Sequence, residues 1–318
     1  MTDGPRAFVL NLDAEHELEV GPRYTPTRHL AALVARQREK LVGTLLRPGD
    51  VLVTEEALDA GDAALERARG LPGIAWSPTP RALALLRRAG AVPLAAPSVE
   101  VLQSVNARPF AAEVRAPLIE GAFAKQVAAT EHELLALVAR PAPLGWLVRR
   151  TFGAAGRGRR RLFAGAPAAD ELAWIRASLR AGPLVVEPFV DVTVEYTRSG
   201  FVTAGGTVSI SEPCHQAVAA SGAWLRTERA ERDAVTRADD AALEQAAVAT
   251  GEALARAGYF GPFGIDAFRY RAEPGAPERL NPLSEINARL TMDWPTALAL
   301  RHEFGLLRGR AEDSRGNP

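Results

Sequence analysis

Two stretches near the end of this 318-residue chain alternate polar and apolar residues in the manner of strands. One is Gly264-Ile265-Asp266-Ala267-Phe268-Arg269, and the other is Leu283-Ser284-Glu285-Ile286-Asn287-Ala288-Arg289. Side chains at i, i+2 and i+4 of a strand share a face. Glu285, Asn287 and Arg289 therefore point one way, and Ile286, Ala288 and Leu290 the other. If the two strands pair, Asp266 comes close to Glu285 and Asn287. Two carboxylates and an amide oxygen form a hard-oxygen set suited to Mg2+, and Arg289 beside them could hold a phosphate. Two buried carboxylates without a cation repel each other. The alternative is a polar outer face on an antiparallel sheet.

A second cluster follows the strand-like run Gly145 to Arg150: Gly153, Ala154, Ala155, Gly156, Arg157 and Gly158. Small residues let a backbone pass close to a ligand, and successive N–H groups in such a turn can cradle phosphate. Arg149, Arg150, Arg157, Arg159, Arg160 and Arg161 surround it with guanidinium groups, good phosphate partners. The Gly-Lys-Ser/Thr ending of a P-loop is absent. A hairpin tip with solvated arginines is an alternative reading, and a nucleic-acid patch is a third that lacks the expected interleaved aromatics. The third cluster is Val185-Val186-Glu187-Pro188-Phe189-Val190-Asp191. A strand end of this type offers backbone groups to an adenine edge and a carboxylate to a sugar hydroxyl, or is simply a strand terminus.

The elements that must position these groups differ along the chain. Strand-like segments at Ala7 to Leu12, Val51 to Val53 and Ile74 to Trp76 alternate with helical patterns at Leu30 to Leu46, Ala63 to Arg69 and Arg81 to Ala89, the last ending at Gly90. That alternation predicts a small doubly wound parallel unit over residues 1–105. Beyond it, the patterns predict a helix at Arg108 to Arg115, a strand at Ala122 to Ala128, a helix at Glu131 to Ala139 and a helix from Asp170, its N-cap, to Ala181. The strand Pro183 to Val190 follows, then an antiparallel hairpin of Val192 to Tyr196 with Gly200 to Ser209. The long helix Ala238 to Ala257 and two strands, Phe263 to Arg271 and Arg279 to Arg289, complete the set, joined by a turn rich in Pro, Gly and charge. The fold class is α/β, with α+β character in the C-terminal lobes, and the polar residues 311–318 are expected to be a disordered tail.

Composition excludes several classes. Lys+Arg and Asp+Glu are both 38, so no net field draws the chain to nucleic acid or an anionic membrane. No apolar run is long enough for a membrane span, and the start MTDGPR lacks the apolar core of a signal peptide. With Cys214 the only cysteine, no internal disulfide is available, and a reducing, cytoplasmic setting is expected. Cys214 and His215 would point to opposite faces of a strand, a structural or substrate-lining pair rather than a nucleophile and base. Lysines are scarce, Lys40 and Lys125 alone.

In this order along the chain, the pieces resemble the ATP-grasp superfamily. GPFGIDAF and SEINARLTM look like that family's metal-binding strands, and the likeness spans about residues 106–305. The resemblance implies an ATP-grasp fold with an N-terminal Rossmann-like domain over 1–105, a small lobe over 106–186 and a C-terminal lobe over 187–310. It implies ATP and Mg2+ as cofactors, with Asp266, Glu285 and Asn287 as metal ligands. Arg289 would face the transferred phosphoryl group or a substrate carboxylate. Gly153 to Gly158 would close over the phosphates, and Glu187 with the backbone of Phe189 and Val190 would meet adenine. Asp191 or Glu195 would lie near the ribose. Where the family usually has two lysines, this chain has Arg108 and Arg149; Arg keeps the charge and binds phosphate bidentately but is bulkier. The implied reaction activates a small-molecule carboxylate as an acyl phosphate and joins it to an amine, less readily a thiol. A catalytically weak nucleotide sensor or scaffold is the alternative that the Arg-for-Lys changes favour. The acids of Asn11 to Glu19, after the first strand, are candidates to bind an amine. His215, Gln216 and Ser221 are candidates to line an acceptor.

Overall fold

The computed structural model describes residues 4–119, 123, 126–153, 158–163, 165–218, 224–230 and 233–296. The first sheet is parallel. Strand β1 (Ala7–Val9) is followed by helices α1 (Ala14–Val20) and α2 (Arg28–Leu45), then β2 (Val51–Leu52), α3 (Glu55–Asp59), a 3-10 turn (Ala63–Ala68), β3 (Pro72–Ala75), α4 (Pro80–Arg88) and β4 (Val92–Pro93). The strand order is β2-β1-β3-β4. Ala7 and Val9 pack with Ala82, Leu85 and Leu86 of α4 on one face. Phe8 pairs with Leu41 and Leu45 of α2 on the other, beside Leu290 and Trp294 from after the last strand. Burial on both faces is why these strands read as unbroken apolar runs. Helix α4 begins where Thr79 accepts from the Ala82 N–H and Pro80 opens the first turn. It stops before Gly90, whose φ of 75° suits glycine.

Helices α5 (Val99–Asn106) and α6 (Arg108–Arg115) lead to a second, antiparallel sheet. It contains β5 (Val127–Ala128), α7 (Glu131–Val138), β6 (Trp146–Arg149), β7 (Arg159–Leu162), α8 (Ala169–Leu179) and β8 (Leu184–Pro188), in the order β5-β8-β6-β7. Trp146, Val148, Leu184 and Val186 form one face and bury against Leu134 and Val138 of α7 and Ile175 of α8. By the two-residue period, Arg149 and Glu187 fall on the opposite face. Helix α8 starts earlier than the sequence predicts: Ala168, not Asp170, is the N-cap, and its N–H donates to Glu171 Oε2 at 2.7 Å. Asp170 lies in the first turn, where a carboxylate complements the helix dipole.

The third sheet carries β9 (Asp191–Val202), β10 (Val208–Ile210), β11 (Cys214–Val218), β12 (Trp224–Arg229), α9 (Ala234–Arg256), β13 (Gly261–Arg271) and β14 (Arg279–Asn287). Its order is β12-β11-β9-β13-β14, with β10 on the side of β9. The hairpin expected between Tyr196 and Gly200 is not there; β9 runs unbroken through both, and the turn comes at Thr203 to Thr207. Gly200 serves a close approach instead of a turn, because a Cβ there would sit 2.3 Å from the Phe263 ring. Helix α9 also starts earlier than expected, because Asp233 accepts from the Thr236 N–H at 2.7 Å. Its Leu243, Ala246, Ala247 and Leu254 are buried. Residues 311–318, expected as a tail, lie outside the described residues.

Candidate functional site

Register decides the centre of the site. β13 and β14 pair with Asp266 directly opposite Glu285 and Gly264 opposite Asn287. β9 lies on the other side of β13, with Thr197 opposite Asp266 and Glu195 opposite Phe268. Directly opposed residues of an antiparallel pair share a face, so Glu195, Thr197, Asp266, Glu285 and Asn287 line one side of the sheet. The alternation read from the sequence holds: Ile286, Ala288 and Leu290 are buried on the other side. Asn287 Nδ2 donates to Asp266 Oδ2 at 3.0 Å, and Asn287 Oδ1 accepts from Arg289 at 2.8 Å. Gln216 Nε2 reaches Asp266 Oδ1 at 3.5 Å from β11. Arg289, one turn of chain beyond β14, also donates to Glu15 Oε1 at 2.6 Å and stacks over Trp76.

Two guanidiniums, Arg108 and Arg149, face this strip, and a third, Arg115, backs Glu187. Arg108, first residue of α6, donates to Glu285 Oε1 at 2.9 Å and to the carbonyls of Arg150 and Gly153. Arg149 Nη2 lies 2.8 Å from Glu187 Oε2, and Arg149 Nη1 3.9 Å from Glu285 Oε2. Arg150 turns to the opposite face, onto Ser178 Oγ and over Trp174, so Arg149 is the arginine that enters the site. Arg115 was not among the sequence-derived candidates. Its Nη1 lies 2.5 Å from Glu187 Oε1, and its side chain is 1% exposed. The signal was present: seven residues separate Arg115 from Arg108, two helical turns, which puts them on one face of α6.

Burial and charge shape the ionisation here. Burial works against the Glu187 carboxylate, but Arg149 and Arg115 outweigh it and hold its pKa below the ordinary range. Glu285 is likewise held low against burial, by Arg108, Arg149 and Arg289. Burial opposes the charge on Arg149, yet Glu187 and Glu285 keep its pKa raised. For Arg108, burial wins and lowers it. Asp266 moves from 3.8 to about 7, first through burial, then through the neighbouring Glu285 and Asp293 charges. The buried Nε of Arg108, the Nε of Arg149, and the Nε and Nη2 of Arg115 have no hydrogen-bond partner. Such donors are costly to leave unmade, and an anion or water would satisfy them.

The Asp266 shift has a testable consequence. A carboxyl whose folded-state pKa lies above its unfolded value binds its proton more tightly in the folded chain. In the metal-free protein, the stability that Asp266 contributes is therefore lost as pH rises from about 4 to about 7. Asp266→Asn is expected to flatten that part of the profile. Urea unfolding of both chains at about pH 5 and about pH 8 checks this, and equal slopes for the two would show that Asp266 is not the group responsible.

Other sequence candidates fall as follows. Gly158, at φ 71°, accepts from the Arg150 N–H. Ala154, Ala155, Gly156 and Arg157 lie outside the described residues, as does Ser221. The Phe189 N–H donates to the Gly145 carbonyl, which removes it as a donor for an adenine edge. Arg161 stacks on the Phe189 ring at 4.0 Å. Burial raises the Glu195 pKa, with Arg159 opposing. Asp191 is exposed, at the start of β9. Cys214 is fully buried and its thiol is pushed up to about 12, while His215 stacks on Tyr196 on the opposite face. The acids of the Asn11 to Glu19 stretch are largely engaged by the protein itself: Asp13 by Tyr24 and Arg81, Glu15 by Arg289, Glu17 by Thr79 and the Arg81 N–H. Glu15 and Glu17 are thereby removed as candidates to hold an amine.

Among the described residues no trio of His, Cys, Asp or Glu side chains gathers as a metal site. The available donors are two carboxylates and the Asn287 amide oxygen, a hard-oxygen set that fits Mg2+ if the phosphates and water complete the shell. No helix among the described residues is long and apolar enough to cross a membrane.

No protein-family model matches the chain, and no curated protein matches it. Solved structures do. Biotin carboxylase from Campylobacter jejuni, in complex with an ATP ligand, superposes with a TM-score of 0.55 at 13% identity over 97% of this chain and 72% of that one. The biotin carboxylase domain of 2-oxoglutarate carboxylase from Hydrogenobacter thermophilus, bound to MgADP, ADP and bicarbonate, gives 0.54 at 12% identity over 96% and 70%.

Proposed function

We propose that this chain, which has the fold of the ATP-grasp superfamily, is an ATP-dependent ligase that joins a carboxylate to an amine with release of ADP and phosphate. The observation that carries this reading is the direct opposition of Asp266 and Glu285 on paired strands, with Arg108 and Arg149 closing over Glu285. A buried carboxyl whose pKa is pushed to about 7, first by burial and then by the facing Glu285 charge, is a site in need of a cation. The unpartnered guanidinium nitrogens of Arg108 and Arg149 are donors in need of an anion. Mg-ATP supplies both.

In this reading Asp266, Glu285 and Asn287 would hold Mg2+, which would neutralise phosphate charge. Arg108 and Arg149 would bind the phosphates and hold the terminal phosphoryl group for transfer to the substrate carboxylate. A carboxylate oxygen displaces ADP from that phosphoryl group. The amine nitrogen then attacks the acyl carbon, phosphate leaves, and the amine gives up a proton. Arg289, held by Glu15 and Asn287, faces the carboxylate. Glu187 and the backbone at Val190 flank the adenine, and Glu195 takes the ribose. Gly153 and Gly158 would lie beside the phosphates. Residues 1–105, 106–186 and 187–310 are then an N-terminal domain, a small lobe and a C-terminal lobe.

The test is Mg2+-dependent ADP release against pooled amino acids and small carboxylates, alongside calorimetry of Mg-ATP binding. Substrate-dependent release supports the ligase. Binding without release from any pool favours the sensor, and neither binding nor release removes both readings.

A further inference from the structure

The strip that carries Asp266, Glu285 and Asn287 stops at Asn287, the last residue of β14, and Arg289 lies beyond it, where the sheet no longer holds the chain. What holds it comes from elsewhere. The Ala288 N–H donates to Asn106 Oδ1 at 2.9 Å, and the Leu290 N–H donates to the Trp76 carbonyl at 3.0 Å. The Arg289 side chain is fixed at all three of its nitrogens. Nε donates to Glu15 Oε1 at 2.6 Å, Nη1 to the Leu290 carbonyl at 3.0 Å and Nη2 to Asn287 Oδ1 at 2.8 Å. The guanidinium also lies over the Trp76 ring. Glu15, on α1 of the parallel unit, is 274 positions away in the chain.

Only one of these contacts carries a charge. Among the described residues, Glu15 is the one carboxylate within ion-pair distance of Arg289, and both side chains are largely buried, 12% and 16% exposed. Glu17, on the same helix, is taken by Thr79 and the Arg81 N–H and does not stand in for it. A guanidinium does not shed its proton at ordinary pH. With Glu15 gone, a largely buried cation would lack its counter-ion. Another anion lies one side chain away: Asn287, whose Oδ1 accepts from Arg289, donates through Nδ2 to Asp266 Oδ2 at 3.0 Å. The Arg289 charge already acts on the carboxyl groups of both Asp266 and Glu285. Those are the carboxylates assigned above to Mg2+, and a guanidinium resting on them would stand where the metal should.

We infer that Glu15 is a positioning residue. It holds Arg289 by Nε and balances its charge, so that the arginine serves the substrate side of the site and does not compete with Mg2+ for Asp266 and Glu285. The N-terminal unit thereby tunes the metal site without touching the metal. The inference rests on the reading of Asp266, Glu285 and Asn287 as ligands of Mg-nucleotide.

Calorimetry of Mg-ADP binding to the full chain tests it, with circular dichroism as the check on folding. Glu15→Ala is expected to bind Mg-ADP about tenfold more weakly than the unchanged chain, the usual scale for a residue that orients a metal site from behind its ligands. Glu15→Gln keeps an acceptor for Nε but no charge, and should fall between the two. The deciding comparison is a double-mutant cycle with Arg289→Met. Removing the displaced cation should return the Glu15→Ala chain to the affinity of Arg289→Met alone. A merely structural role for Glu15 predicts a loss that persists when Arg289 is gone, and that result overturns the inference. If Glu15→Ala does not fold, Glu15→Gln with and without Arg289→Met gives the same comparison. Equal Mg-ADP binding by the Glu15 variants and the unchanged chain also overturns the inference and leaves the nucleotide reading standing. No Mg-ADP binding by the unchanged chain removes both.

Discussion

Glu285→Ala is expected to lower substrate-dependent ADP release by on the order of 10³-fold while the chain stays folded. In the proposed reading, Glu285 is both a metal ligand and the group that holds Arg108 at 2.9 Å. Its removal takes away charge stabilisation that grows as the phosphoryl group transfers, and single groups of that type are worth about 10²–10³ in kcat. The loss of a cation ligand adds to it. Stability suffers less, because the Glu285 side chain is 31% exposed and Arg149 keeps its shorter contact with Glu187. Asn287→Ala should show a smaller loss, since an amide oxygen contributes a dipole rather than a charge. Steady-state ADP release together with circular dichroism checks both. Unchanged turnover in folded Glu285→Ala protein would place β13 and β14 outside the chemistry.

Glu187→Ala is expected to have the largest effect on stability. Glu187 is 5% exposed and lies between Arg115 at 2.5 Å and Arg149 at 2.8 Å. Those two arginines come from different elements, α6 and β6, so the carboxylate joins the helix to the second sheet. Its removal leaves two buried guanidiniums facing each other, and breaking a buried pair from one side costs about 3–5 kcal/mol. That corresponds to a fall in Tm on the order of 10 °C. Arg115→Met with Glu187→Met should recover part of the loss, because apolar replacement of both partners removes the uncompensated charge. Thermal unfolding measures it. A fall of one or two degrees for Glu187→Ala would mean that the cluster is hydrated in solution and the carboxylate is not a strut.

Local patterns in the sequence had enough information for the two C-terminal strands and the parallel sheet. The two-residue period of Leu283 to Arg289 placed Glu285 and Asn287 on one face because side-chain direction in a strand is a local property. The helix Arg108 to Arg115 was legible to the residue, with Pro109 in its first turn and an apolar face. The break expected after Tyr196 failed for a non-local reason. Thr-Arg-Ser-Gly reads as a turn, but Gly200 answers to Phe263, sixty-three positions away, whose ring occupies the space of a Cβ. The early start of α8 is a cap choice between neighbouring residues, the least determined part of a helix, whereas α9 gains a whole turn because Asp233 caps it.

By itself, then, the sequence determined which residues carry charge and oxygen ligands, which share a strand face, and the order in which the pieces occur. Tertiary structure alone decided which cation meets which anion. Arg149 rather than Arg150 enters the site because β6 pairs with β8 in a register that puts Arg149 on the face of Glu187. Arg115 joins it because α6 packs on β14 and β8. Glu17 turns inward to cap α4, a choice made by residues more than sixty positions apart. Ion pairing acts over a few ångströms in space with no regard to distance along the chain, so it becomes readable only when the sheets have fixed their registers.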